Sequence, residues 1–167
     1  VPCARVNVLR AEARGAASSN DLSVLRQAVR SGDAQTARMA VRALGRFERP
    51  ALVPDILPAL RHSLPEIRAE AANALAQAAQ GWAAGGVNAN ARPAAGSQNA
   101  APPVAVFGAL SGRLEIEDEP NVRAALVESI GGLPYKHAEQ AAQAEKAIVT
   151  DFQDNDTVVD RLGVAKA

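Results

Sequence analysis

The sequence predicts an all-α fold in which antiparallel helix pairs stack side by side, an α-solenoid. Three observations predict it. Residues 36–44 (TARMAVRAL), 67–75 (IRAEAANAL) and 122–130 (VRAALVESI) superimpose without a gap, and a truncated fourth copy begins at Val159. Within the copies, apolar or small residues fall at i, i+3, i+4, i+7 and i+8, the stripe of an amphipathic helix. Hydrophobic residues make up 48% of the chain but aromatics only 3%. Much of the apolar content is alanine, the best helix former and one that lets helices approach closely.

Each element has its own signal. Val6, Leu9 and Ala13 follow helical spacing and predict a first helix ending near Gly15. A break at 16–20 leads to a second helix, capped by Ser19 or Asn20, with Leu22, Leu25 and Val29 on its inner face. Gly32 fits a left-handed C-terminal position, and Asp33 fits an N-cap for the first repeated helix. In that helix the stripe is Thr36, Met39, Ala40, Ala43 and Leu44. In the second copy it is Ile67, Ala71, Ala74 and Leu75, with Glu70 as the exception; in the third it is Val122, Ala125, Leu126, Ser129 and Ile130. Gly45 and Gly131 align just past the stripe, and Pro65 and Pro120 align near the first turn, where a missing N–H costs little.

Each repeated helix is expected to be followed by an antiparallel partner. Val53, Ile56, Leu57 and Leu60 make the first, with Pro50 and Pro54 shaping its entry and Pro58 kinking it or delaying its start. Phe107, Leu110 and Leu114 make the second; Ala141, Ala144, Ile148 and Phe152 make the third. Gly131-Gly-Leu-Pro-Tyr135 reads as the turn before that last partner.

The anchors Thr36, Ile67, Val122 and Val159 are 31, 55 and 37 residues apart, so the middle interval carries an insertion. Residues 82–103, rich in Gly, Ala, Asn and Pro and without an apolar stripe, supply it as a flexible loop within one repeat. The expected organisation is therefore one solenoid over residues 1–167. It is incomplete at its C-terminus, because the last copy lacks a partner helix.

Bulk properties narrow the function. Lys+Arg and Asp+Glu are both 18, which argues against a nucleic-acid binder driven by net charge. The single cysteine, Cys3, forms no intrachain disulfide. No apolar run approaches the length of a membrane span, and no signal peptide is visible, although a chain starting at Val1 is open to processing or truncation. The compartment stays open between cytoplasm and periplasm.

These residues resemble the HEAT-repeat family, in particular short bacterial HEAT-like units of about 30 residues. The resemblance rests on Asp33 ahead of the first repeated helix, on residues 65–75 (PEIRAEAANAL) and on residues 119–126 (EPNVRAAL). Arg68 and Arg123 stand at the family's frequent arginine position; Ala37 and Asp160 depart from it. The likeness covers most of residues 21–167. It implies a HEAT-like superhelix, right-handed and all-α, and a binding surface rather than a catalyst.

Catalytic and metal chemistry find little support. His62 and His137 are isolated, with no adjacent His-Glu pair, and the default reading is a solvated histidine near a helix start and a cation at a helix end. No Gly-x-Ser-x-Gly elbow or phosphate-binding loop occurs. Cys3 has no nearby histidine to activate it. Asn155-Asp-Thr157 matches a glycosylation acceptor but reads equally as helix-start chemistry. Glu115, Glu117, Asp118 and Glu119 cluster where a helix N-terminus favours acid. No cofactor is implied.

The expected function is a non-catalytic scaffold or adaptor for a protein partner, bound on the concave face built by the second helix of each pair. Asp55, Arg61, Arg113, Glu115, Glu139 and Lys146 are the candidate partner-binding residues, as polar positions on those helices. Two alternatives differ in class. One is a HEAT segment of a larger enzyme, such as a peptidyl-prolyl isomerase fusion; the other is a nucleic-acid binder, against which the lack of a basic patch with interleaved aromatics weighs.

Overall fold

The structure, a computed structural model, describes residues 2–83, 103–154 and 165. Eight α-helices occur among the described residues, with no strand. They are α1 (Pro2–Ala13), α2 (Ser19–Val29), α3 (Ala34–Arg46), α4 (Val53–Ile56), α5 (Pro65–Ala83), α6 (Pro103–Leu114), α7 (Pro120–Gly131) and α8 (Ala138–Asp154). The predicted fourth copy, residues 155–167, lies outside the described residues save Ala165. So does the loop at 82–103, except at its edges: Trp82 ends up in the last turn of α5, and Pro103 opens α6.

Local chemistry explains the boundaries. Asp33 caps α3 as expected, its carboxylate accepting from the Thr36 amide at 3.0 Å. The cap of α2 is Ser18, one or two residues earlier than the sequence reading. The Ser18 hydroxyl accepts from the Asp21 amide and the Asp21 carboxylate accepts from the Ser18 amide, a reciprocal capping box. Pro65 and Pro120 each open a helix. Pro50, Pro54 and Pro58 interrupt the amide ladder every fourth residue, so α4 is one turn flanked by the 3-10 segments Pro50–Leu52 and Leu57–Arg61. Gly32 does not take the left-handed conformation expected of it. That conformation belongs to Gly15, Ala16 and Glu48, at the turns after α1 and α3. Arg49 ties these two turns together, donating from Nη2 to the Gly15 carbonyl at 2.9 Å.

The repeated helices form one layer. α3 packs along α5, and α5 along α7; α1 joins the same layer beside α3. α2, the α4 segment, α6 and α8 form a second layer, within which Arg26 of α2 donates to Asp55 of α4 and α6 meets α8. The core lies between the layers and contains Leu25, Leu44, Ile56, Ile67, Leu75, Leu110, Leu126 and Ile130, all fully buried.

The pairing register differs from the sequence expectation. Each repeated helix packs most closely on the helix that precedes it: α3 on α2, α5 on the α4 segment, α7 on α6. The reason is visible in the turns. Arg68, in the first turn of α5, donates through Nη1 to the carbonyls of His62 and Ser63, both at 3.0 Å. Arg123 of α7 donates likewise to the carbonyls of Leu114 and Glu117. The repeated helix is thereby stapled to the turn behind it, and it is the second member of its hairpin.

Two outer stripes also differ. In α1 the buried residues are Val8 and Ala11, whereas Val6 and Leu9 are exposed. Aligning Arg5 with Arg68 sets Val8 against Ala71 and Ala11 against Ala74, so α1 is a divergent copy of the repeated helix. In α8 Ala144 is buried and Ile148 half-buried, but Ala141 and Phe152 are exposed, because α8 is covered only by α6 and α7 among the described residues.

Close approach within the layer depends on small residues. A Cβ at Gly45 of α3 would lie 2.5 Å from Ala74 Cα in α5, and a Cβ at Gly81 would overlap the Glu48 carbonyl oxygen. Gly112 of α6 has open space around it. Gly45→Ala and Gly81→Ala are therefore expected to destabilise by about 1–3 kcal/mol through overpacking. Gly112→Ala should stabilise by about 0.5–1 kcal/mol, since glycine weakens a helix interior. Thermal unfolding followed by circular dichroism separates the two classes by the sign of the shift in Tm.

Candidate functional site

Charged side chains in this fold divide into those spent inside the stack and those left on its faces. The internal set is a ladder of arginine–carboxylate pairs. Arg5 of α1 reaches Asp33, with contacts of 3.0–3.1 Å. Arg68 of α5 makes a two-pronged contact with Glu117, Nε to Oε2 and Nη2 to Oε1, both at 2.7 Å. Arg123 of α7 pairs with Asp151 of α8. The separations in sequence are 28, 49 and 28 residues, the middle one lengthened by the insertion between α5 and α6.

The central rung is the most buried. The Glu117 side chain is 1% exposed and also accepts from Arg113 and from the Glu119 amide. Burial alone pushes the Glu117 carboxyl up, but the hydrogen bonds from Arg68, the Glu119 amide and Arg113 outweigh it and hold its pKa at about 2. The Arg5 guanidinium and the Thr36 hydroxyl hold Asp33 well below the usual carboxylate range. Glu117 thus does more than complement a helix terminus, the role the sequence assigned to the acidic cluster around it. The signal was present in the recurring arginine-to-carboxylate spacing, hidden in the middle by the insertion.

The six sequence candidates scatter. Asp55 is held by Arg26 at 2.9 Å, and Arg113 by Glu117. Arg61 and Arg113 line one mainly apolar groove between the 3-10 segment after α4 and α6, together with Leu57, Gly108 and Ile116. Glu115 and Lys146 come together in a cavity of about 710 Å³ among α6, α7 and α8. Glu139 is exposed on α8 and lines none of these hollows. All six belong to the α4–α6–α8 layer or its turns, because the sequence reading took those helices as second in each pair.

The other layer carries a groove the sequence reading missed. It has a volume of about 540 Å³ and crosses three adjacent helices, with Arg42 and Arg46 on α3, Asn73, Gln77 and Gln80 on α5, and Glu128 on α7. Gln80 Nε2 donates across to the Gly132 carbonyl at 2.8 Å, tying α5 to the end of α7. These polar residues sit on the faces of the repeats opposite the apolar stripe. They read from sequence only as solvated surface until the register of the hairpins is known.

Metal and nucleophile chemistry gain no geometry. Among the described residues no group of three His, Cys, Asp or Glu side chains is placed to hold a metal ion. His62 Nδ1 accepts from the Leu64 amide at 3.1 Å, a capping role. Cys3 is exposed near the start of α1. Among the described residues no helix is long and apolar enough to cross a membrane.

A family model described as HEAT repeats matches residues 22–84. This chain is a HEAT-repeat protein. The match begins within α2 and runs to the end of α5, so it takes in two hairpins, α2/α3 and α4/α5, in the register that the packing shows. No curated protein matches the chain. HEAT repeats are commonly protein-interaction scaffolds and are typically non-catalytic, as the sequence resemblance implied.

The depressed carboxyls give a pH dependence of defined sign. Glu117 titrates from an ordinary value of 4.5 down to about 2 in the fold. The stability it contributes is complete above pH 4.5 and is lost as pH falls through 2; Asp33 and Asp21, also lowered, act in the same direction. Urea unfolding at pH 6 and pH 3 is expected to show a loss of stability on acidification. Glu117→Gln should be less stable at pH 6 and show a smaller acid-dependent loss.

Proposed function

We propose that this chain is a non-catalytic scaffold whose protein partner docks across the exposed face of α3, α5 and α7. The observation that carries the reading is the polar groove spanning these three helices. They are the second members of their hairpins, the layer that the concave-face expectation selects once the register is corrected. A groove across several repeats also offers a partner more contact than one helix can. Asp55 and Arg113, by contrast, are already held in ion pairs within the fold.

Mixed charge supports a protein over a nucleic acid. Glu70 and Glu128 stand in the groove among the arginines, where a phosphate backbone would meet repulsion. Protein binding across this face should therefore show a shallow salt dependence.

The test is affinity capture with three chains: wild type, the double variant Arg42→Glu/Arg46→Glu, and Arg61→Glu on the opposite layer. Proteins captured by the wild type should be weakened at least about tenfold by the double variant, as expected when charge-assisted contacts are reversed. They should be retained by Arg61→Glu. Capture that survives the double variant and fails with Arg61→Glu would move the docking surface to the α4–α6 groove and overturn the proposal.

A further inference from the structure

α3 carries an arginine stripe, Arg38, Arg42 and Arg46, at i, i+4 and i+8 on one exposed edge. The outer two have carboxylates: Arg38 donates to Glu70 at 2.9 Å and Arg46 to Glu12 at 3.1 Å. Arg42, between them, has no carboxylate partner among the described residues, and it faces the groove. The stripe therefore presents one guanidinium ready for an incoming anion, flanked by two whose charge is already compensated.

The floor of the groove is chemically distinct. Asn73, Gln77 and Gln80 follow one another along α5 at i, i+4 and i+7. Gln80 is engaged with the Gly132 carbonyl, and Asn73 Oδ1 lies 3.5 Å from the Ser129 hydroxyl, so both are tied to α7. Gln77 is exposed and makes no hydrogen bond among the described residues. An amide side chain both donates and accepts, as a peptide group does. The rise along the helix is about 6 Å from residue 73 to 77 and about 4.5 Å from 77 to 80. Peptide groups facing the same way along an extended chain repeat at about 6.6 Å. An extended main chain lying along α5 is matched to this row.

We infer that the occupant of the groove is an extended peptide segment with an acidic side chain, its carboxylate on Arg42 and its main chain on the Gln77 amide. The inference rests on the docking face proposed above and adds the chemistry of the partner. An amphipathic helix is a poorer fit, because it needs an apolar trough for its anchoring side chains, whereas this groove is walled by charges and floored by amides.

The probe is a random 12-residue peptide library displayed on phage and selected on the full 167-residue chain. Enriched sequences are then synthesised with a fluorescein label and titrated by fluorescence anisotropy. Enriched peptides are expected to carry Asp or Glu at a recurrent position. Arg42→Glu should weaken them by about tenfold or more, Gln77→Ala should weaken them several-fold, and Arg61→Glu should leave them unchanged. Arg42 and Gln77 are exposed, so an unshifted thermal unfolding curve confirms that both variants remain folded.

Each contrary result has its own meaning. Peptides without acid that are still lost on Arg42→Glu overturn the acidic inference and leave the docking face standing. Peptides insensitive to Arg42→Glu but lost on Arg61→Glu overturn both readings. Failure to enrich any peptide overturns the extended-segment inference, while the docking face is then judged by the captured proteins of the preceding test.

Discussion

The ion pair between Arg68 and Glu117 is the contact on which the rest of the stack depends. Its carboxylate is 1% exposed and its guanidinium is close to buried, so neither charge has water to fall back on. A buried charge is tolerable only when fully paired. Here every prong is used: Arg68 meets both oxygens of Glu117 and two carbonyls of the preceding turn, and Glu117 also takes Arg113 and the Glu119 amide. The one residue thus fixes where α5 starts and where α7 must start relative to it.

Around that rung the layer is held by small residues. Alanines on α3 and α5, with Gly45 against Ala74, bring helix backbones close enough for side chains to interlock without aromatic bulk. Larger residues stay between the layers, where Leu44, Leu75, Leu110 and Ile130 fill the core. Tyr135 closes the end of α7. Its hydroxyl donates to the Ile130 carbonyl at 2.6 Å, its ring meets Phe107 edge-on, and burial pushes its phenol up to about 12. The result is a layered stack with polar faces on its exterior, an arrangement suited to presenting a surface rather than enclosing a substrate.

How much of this was legible follows from which interactions are periodic. The stripe Ile67, Ala71, Ala74, Leu75 is a local, repeating signal, and it named the helices and the fold correctly. The proline series 50, 54, 58 was legible for the same reason. Hairpin register was not, because it is set by Arg68 and Arg123 binding carbonyls of the preceding turn, which no hydrophobic pattern encodes. The divergent copy in α1 escaped notice because Val6 and Leu9 mimic a stripe while Val8 and Ala11 make the contacts. The candidate surface moved for the register reason alone: Asp55, Arg61, Arg113, Glu115, Glu139 and Lys146 were chosen on helices that turn out to be first in their pairs, whereas Arg42 and Gln77 lie on the second.

A double-mutant cycle on Arg68 and Glu117, read by equilibrium urea unfolding at pH 7, tests the central rung most directly. Arg68→Leu and Glu117→Leu should each cost about 3–5 kcal/mol, since each leaves a buried charge unpaired. The double variant should cost clearly less than the two together, by more than about 1 kcal/mol of coupling. Additive single effects, or single variants within about 0.5 kcal/mol of wild type, would contradict the account and leave the α5–α7 stack to apolar packing alone.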